Sequence, residues 1–111
     1  MSNQHEYSMV ISTSSSRESA MAIAECLIEK KLAACVQILP IESIYVWQGE
    51  VCKDSEAMML IKTRTALFDE LAGAIQDCHP YEVPEIVQIP IADGLPEYLK
   101  WIDGCVSQKG K

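Results

Sequence analysis

A thiol and an imidazole stand side by side at Cys78-His79. They open the segment Cys78-His79-Pro80-Tyr81-Glu82-Val83-Pro84-Glu85. Thiolate plus imidazole is a donor set for Cu(I) or Zn(II), and the carboxylate of Glu85 widens the choice of cation. Pro80 and Pro84 stiffen the segment, so its donors are held in a fixed geometry. Two neighbouring side chains make a weak site, so a further ligand has to come from elsewhere in the chain or from another subunit. The plainer role for His79 is to cap a preceding helix, its ring bonding the last carbonyls. The other histidine, His5, sits in a polar leader and reads as solvated.

Other chemistry is poorly served. Nucleophilic catalysis needs a Ser or Cys beside a base and an orienting acid, and no local signature pairs His79 with a nucleophile. Cys35 lies in an apolar run and reads as core. The glycine motifs that cradle phosphates or build a nucleophile elbow are absent. The chain therefore reads as a binding protein, not an enzyme. Lys62 and Arg64 flank Thr63 where a strand feeds a helix. An anion can bind at such a junction, although a solvated strand end is the simpler account.

The composition sets further bounds. At 111 residues the chain makes one domain, with residues 1–6 as a disordered leader and 108–111 as a frayed tail around a body spanning 7–107. Sixteen acidic and nine basic residues give a net charge of -7, so there is no basic stripe for nucleic acid. No apolar run reaches the ~20 residues of a membrane span, and no secretory signal is visible. Five cysteines without a C-x-x-C pair then read as reduced thiols of a cytoplasmic protein, each of them buried by default.

The elements that must position these residues follow from periodicity. Tyr7 to Thr13 reads as a strand. A capping box at Ser15-Ser16-Arg17-Glu18 opens a helix whose stripe is Ala20, Ile23, Ala24, Leu27, Ile28 and Leu32. Ala34 to Leu39 looks like a central strand, with a bulge or bend at Pro40. Ile41 to Trp47 and Val51 to Thr63 form a long hairpin around Gln48-Gly49-Glu50. Its tip carries Ile44, Tyr45, Val46 and Trp47, which are costly to leave in water, so the ribbon packs on another subunit or folds back on its own domain. Thr65 to Cys78 reads as a second helix, ended by Pro80. Glu85 to Ile89 reads as a strand, and Leu95 to Val106 as a last helix with Pro96 in its first turn. Tyr98 and Trp101 on that helix read as packing residues.

The chain also echoes itself. Met9 to Thr13 resembles Met59 to Thr63, and Val36 to Ile41 resembles Val87 to Ile91. Nearly equal offsets, with a helix inside each half, point to two tandem βαβ units. The expectation is an α+β, ferredoxin-like β-α-β-β-α-β fold with a long hairpin between its second and third strands and a C-terminal helix. Helices cover one face of such a sheet. The other face stays apolar and open, a second argument for self-association.

Five segments in this order and spacing resemble the CutA family, the divalent-cation tolerance proteins. They are Glu29 to Cys35, Ser43 to Gly49, Ile61 to Thr63, His79 to Glu85 and Tyr98 to Ile102. The resemblance runs from Ser8 to Ile102. It implies a homotrimer similar in architecture to the PII signalling proteins, with Tyr45 and Trp47 of the hairpin at the interface. It also implies a role in tolerance of copper and other divalent metals. The family's proposed copper ligands fall at Ser12, where the family has Cys, and at Cys78 and His79, where it has two His; Glu85 matches the family's Pro-Glu step. A PII-like sensor of a small anion between subunits is the alternative, with Tyr81, Lys62 and Arg64 as contacts.

Overall fold

A computed structural model describes residues 5–110; the first four positions of the expected leader and the last residue of the expected tail lie outside the described residues. The element order is β1 (Tyr7–Ser14), α1 (Arg17–Glu29), β2 (Cys35–Trp47), β3 (Glu50–Arg64), α2 (Phe68–Cys78), β4 (Ile86–Pro90) and α3 (Pro96–Cys105). A single 3-10 turn, Thr65–Leu67, leads into α2. The sheet is antiparallel in the order β2-β3-β1-β4. The two echoed pairs thus take equivalent places: β1 and β3 at the centre, β2 and β4 at the edges. This is the ferredoxin-like α+β arrangement that the repeat implied.

Strand alternation divides the sheet into two faces. Val10, Met59 and Ile61 point to the helices and pack with Ala20, Ile23 and Leu27 of α1 and Leu71, Ala74 and Ile75 of α2. Three serines share this helix-facing side of β1, and each finds a partner, as buried hydroxyls must. Ser8 bonds Thr65, Ser12 donates to the Glu85 carbonyl, and Ser14 meets Ser19. The opposite face presents Met9, Ile11, Leu39, Met58, Leu60, Val87 and Ile89, half-buried or exposed in the single chain.

The hairpin is the outlying part. β1 pairs with β3 only from Ala57 to Arg64, while β2 follows β3 down to Trp47↔Glu50. Residues 41–47 and 50–56 therefore pair with each other alone. Thirteen residues of β2 at about 3.3 Å each span roughly 43 Å, which matches the 45 Å long axis of the molecule. The loop is Gln48-Gly49, both with positive φ (51° and 80°), as a type I′ turn requires. Ile44, Val46 and Val51 at the tip are about 70% exposed and Trp47 is 58% exposed, so the ribbon does not fold back on its own domain.

Several local expectations are corrected. The helix cap is Ser16, not Ser15. Its hydroxyl accepts from the Ser19 N–H, and Ser19 at the third helical position reciprocates in place of Glu18. Glu18 is one step too early to reach back. β2 is an edge strand, and its register runs unbroken through Pro40↔Ala57, because an edge position can leave the proline nitrogen facing outward. Helix α1 ends at Glu29; Lys31 turns through φ 57° and delivers Leu32 to the core from outside the helix. Ile28 is exposed. Cys35 is half-buried on the open sheet face, not core, and no cysteine falls in the fully buried class.

Moving the cap by one residue has a measurable consequence. Ser16→Ala should cost about 1 kcal/mol of stability, whereas Ser15→Ala should change it by less than about 0.5 kcal/mol. Urea unfolding followed by circular dichroism checks this; equal effects would place the cap elsewhere.

Candidate functional site

The candidate residues meet where β1 ends and the loop after α2 begins. Proline at position 80 ends α2 at Cys78, and His79 takes an extended conformation (φ -83°, ψ 139°) that carries the chain away from the helix. Its ring does not cap that helix. One nitrogen, Nε2, lies 2.5 Å from the Thr13 carbonyl of β1, and Nδ1 accepts the Tyr81 N–H at 3.0 Å. An acceptor at Nδ1 fixes the tautomer: the proton is on Nε2, which donates to Thr13. The imidazole thereby pins the loop to the end of the central strand, and the Tyr81 ring packs 4.8 Å from it.

Beyond His79 the loop crosses the hairpin. Tyr81 donates to Glu56 at 2.6 Å, on the stretch of β3 that has left β1. The space between loop and ribbon is a groove of about 640 Å³, lined by Thr13, Ser43, Ile44, Tyr45, Trp47, Glu56, Tyr81, Glu82, Val83 and Glu85. It joins three carboxylates, two phenols and an apolar wall. Tyr45 donates to Asp54 nearby. That bond is the main cause pushing the Tyr45 phenol up to about 12. The Tyr81 phenol is raised further, first by burial and then by its bond to Glu56. Both phenols stay protonated and act as donors that hold carboxylates in place.

The expected metal ligands divide in this geometry. His79 and Glu85 belong to the groove region. Ser12 is fully buried and spends its proton on the Glu85 carbonyl, so it anchors the loop beneath the groove. Cys78 faces the other way. Its thiol is pushed up, by burial first and by neighbouring Cys26 of α1 next. Among the described residues of one chain, no three His, Cys, Asp or Glu side chains gather closely enough to hold a metal ion.

The expected anion contacts are dispersed. Arg64 is buried and donates to the carbonyls of Ser107 and Lys109, both at 2.8 Å, with Asp103 3.7 Å away; it holds the segment after α3 against the body. Lys62 bonds Gln37 on the open face, 5.9 Å from the centre of the Tyr98 ring. The strand runs six residues from Lys62 to Glu56, the partner of Tyr81, about 20 Å at about 3.3 Å per residue. The three residues share no cleft in one chain. Tyr45 and Trp47, expected at a subunit interface, line the groove at its hairpin side.

Sequence reasoning missed Asp54, Glu56 and Glu82 as neighbours of the phenols. The alternation Cys52, Asp54, Glu56 on the face of Tyr45 was the available signal.

Comparison with known proteins follows the same boundaries. Residues 8–105 match the family model described as CutA1 divalent ion tolerance protein. A Thermus thermophilus protein named divalent-cation tolerance protein CutA is 50% identical over 95 residues, which cover 85% of this chain and 92% of the relative. A mouse protein named CutA is 45% identical over 75% of this chain, but the match spans only 48% of its own length. The solved structure of the periplasmic divalent cation tolerance protein CutA of Archaeoglobus fulgidus superposes with a TM-score of 0.89. It is 42% identical, over 91% of this chain and 99% of that one.

The phenols give a direct test of the groove. A phenol whose pKa is raised by folding stabilises the fold fully below the unfolded value of about 10, and that stabilisation fades as pH climbs through the folded value. Followed by phenolate absorbance, Tyr45 and Tyr81 should ionise after free tyrosine. Tyr81→Phe should remove the latest-titrating group; an unchanged late phase in that variant would refute the Tyr81–Glu56 bond.

Proposed function

The chain belongs to the CutA1 divalent ion tolerance family, and on that premise we propose that it serves tolerance of divalent metals, copper among them. In this reading it is a cytoplasmic homotrimer that binds the cation in the groove between the hairpin and the loop of residues 79–85. The observation that carries the proposal is the match over residues 8–105 to a family described by divalent ion tolerance. The geometry adds the location. Glu56, Glu82 and Glu85 give the groove an excess of negative charge in a protein that is already acidic.

His79 suits a ligand role by its tautomer. Metal-binding histidines commonly donate their second N–H to a backbone carbonyl, which fixes the ring and leaves the other nitrogen for the ion. Here Nε2 donates to Thr13, so Nδ1 carries the lone pair and is released when the Tyr81 N–H swings aside. Oxygen ligands then come from the groove carboxylates. The rest of the set comes from a second subunit, because one chain lacks a complete one.

Self-association is supported by what the single chain leaves uncovered. Leu39, Val87 and Ile89 on the sheet face and Ile44, Val46, Trp47 and Val51 at the tip are exposed. At roughly 25 cal/mol per Å² of apolar surface, covering them is strongly favourable. No helix of the described residues is long and apolar enough to cross a membrane. All five cysteines are unpaired, which suits a reducing compartment such as the cytoplasm.

Native mass spectrometry of the reduced protein should give the mass of three chains, and Leu60→Glu should shift it toward the monomer. In Zn(II) and Cu(II) titrations, His79→Ala should weaken uptake at least tenfold while the trimer persists. Equal affinity in wild type and variant would sink the assignment of His79.

A further inference from the structure

The carboxylates of the groove are spread along it. Glu56 sits on the ribbon opposite Ile41, whereas Trp47 stands six residues further along β2, about 20 Å away at about 3.3 Å per residue. Glu82 and Glu85 line the loop side. All three acids share one elongated space of about 640 Å³, within the usual range for a small-molecule site. Yet among the described residues no three His, Cys, Asp or Glu side chains converge tightly enough to hold one metal ion. No Lys or Arg lines the groove, and among the described residues none of its three acids is in an ion pair. The remaining wall is apolar and aromatic, made by Ile44, Val83, Tyr45, Trp47 and Tyr81.

The geometry points to a linear aliphatic polyamine as a ligand of this groove. Such a molecule carries its positive charge on several ammonium groups separated by methylene runs. Dispersed carboxylates match dispersed ammoniums, whereas a metal ion needs donors that meet at a point. The methylene runs lie on Ile44 and Val83, which takes apolar surface out of water. Ammonium groups are also drawn to the faces of aromatic rings, Trp above all, and Tyr45, Tyr81 and Trp47 supply three. Both phenol hydroxyls are donated to carboxylates, so their rings are held in place before a ligand arrives. Glu56 receives Tyr81 on one oxygen, Oε2, which leaves the other for an ammonium. A net charge of -7 draws polycations toward the molecule. The inference rests on the same groove as the metal reading but gives it an organic cation. It needs neither His79 as a ligand nor a donor from a second subunit.

The test is isothermal titration of the reduced full chain with spermidine, a linear triamine, at physiological salt, where long-range attraction is screened. Spermidine should bind. Butylamine, which keeps the hydrocarbon but has a single ammonium, should bind at least tenfold more weakly. Glu82→Gln and Glu85→Gln should each weaken spermidine about threefold, the scale of solvent-exposed charge pairs, and together about tenfold. Glu18→Gln and Glu97→Gln, which remove exposed acids of α1 and α3 outside the groove, should leave its affinity unchanged. No binding of spermidine would overturn the proposal. Equal losses in groove and control variants would overturn it too, since they mark a general attraction to an acidic protein. Zn(II) and Cu(II) titrations of the same variants separate the two readings. Spermidine uptake that depends on Glu82, in a protein indifferent to both metals, would support the polyamine and remove the metal from the groove. Metal uptake that depends on His79, without spermidine binding, would do the reverse.

Discussion

The structure depends on a mismatch in strand length. β1 has eight residues and β3 has fifteen, so the central pair of the sheet stops at Ser14↔Ala57 while β3 continues with β2 alone. Inside the sheet, backbone groups of β3 are paired on both sides. Past Ala57 each strand of the ribbon keeps one edge unpaired, and a two-stranded ribbon is marginal by itself in water. The candidate groove sits at this transition. The loop after α2 crosses at the point where β1 gives out, and the groove lies between that loop and the ribbon.

Two contacts hold that crossing. The His79 ring is fixed at both nitrogens, to Thr13 and to Tyr81, and Ser12 holds the Glu85 carbonyl from below. A serine and an imidazole thus define both ends of a loop that already contains two prolines. Both residues, named as candidate ligands, also fasten the loop to the end of β1. Two carboxylates of the ribbon are ordered by phenols: Glu56 by Tyr81, Asp54 by Tyr45. Burial keeps the Tyr81 hydroxyl protonated, so its hold on Glu56 persists across the physiological range.

The fold was largely legible from periodicity, because core positions repeat at helical or strand spacing and the two halves share one template. The βαβ echo even gave the right partners, with Met9 to Thr13 and Met59 to Thr63 falling on adjacent central strands. Legibility failed where a choice depended on three-dimensional reach. Ser15 and Ser16 offer identical hydroxyls, and only backbone geometry decides which one caps. Cys78 and His79 are neighbours in sequence, yet one ends a helix and the other begins an extended segment, so their side chains diverge. Arg64 carried the mark of a surface anion ligand, but its guanidinium finds two backbone carbonyls at the end of the chain. The candidate site was legible as a segment and not as a constellation, since Glu56 and the hairpin phenol come from strands at least 25 residues earlier.

Pro40 gives the outer edge of the sheet a property of its own. In an antiparallel ladder a residue turns both its N–H and its C=O either toward its partner or away from it. Since the register is unbroken at Pro40↔Ala57, the proline nitrogen faces outward, where a donor is missing. The exposed edge of β2 is thus a row of hydrogen-bonding steps with one blank tooth. A strand arriving from a second molecule finds no donor at that step, whichever of its carbonyls lies opposite. The proline therefore weakens edge-to-edge pairing of the kind that grows into fibres, while the pairing with β3 inside the chain loses nothing.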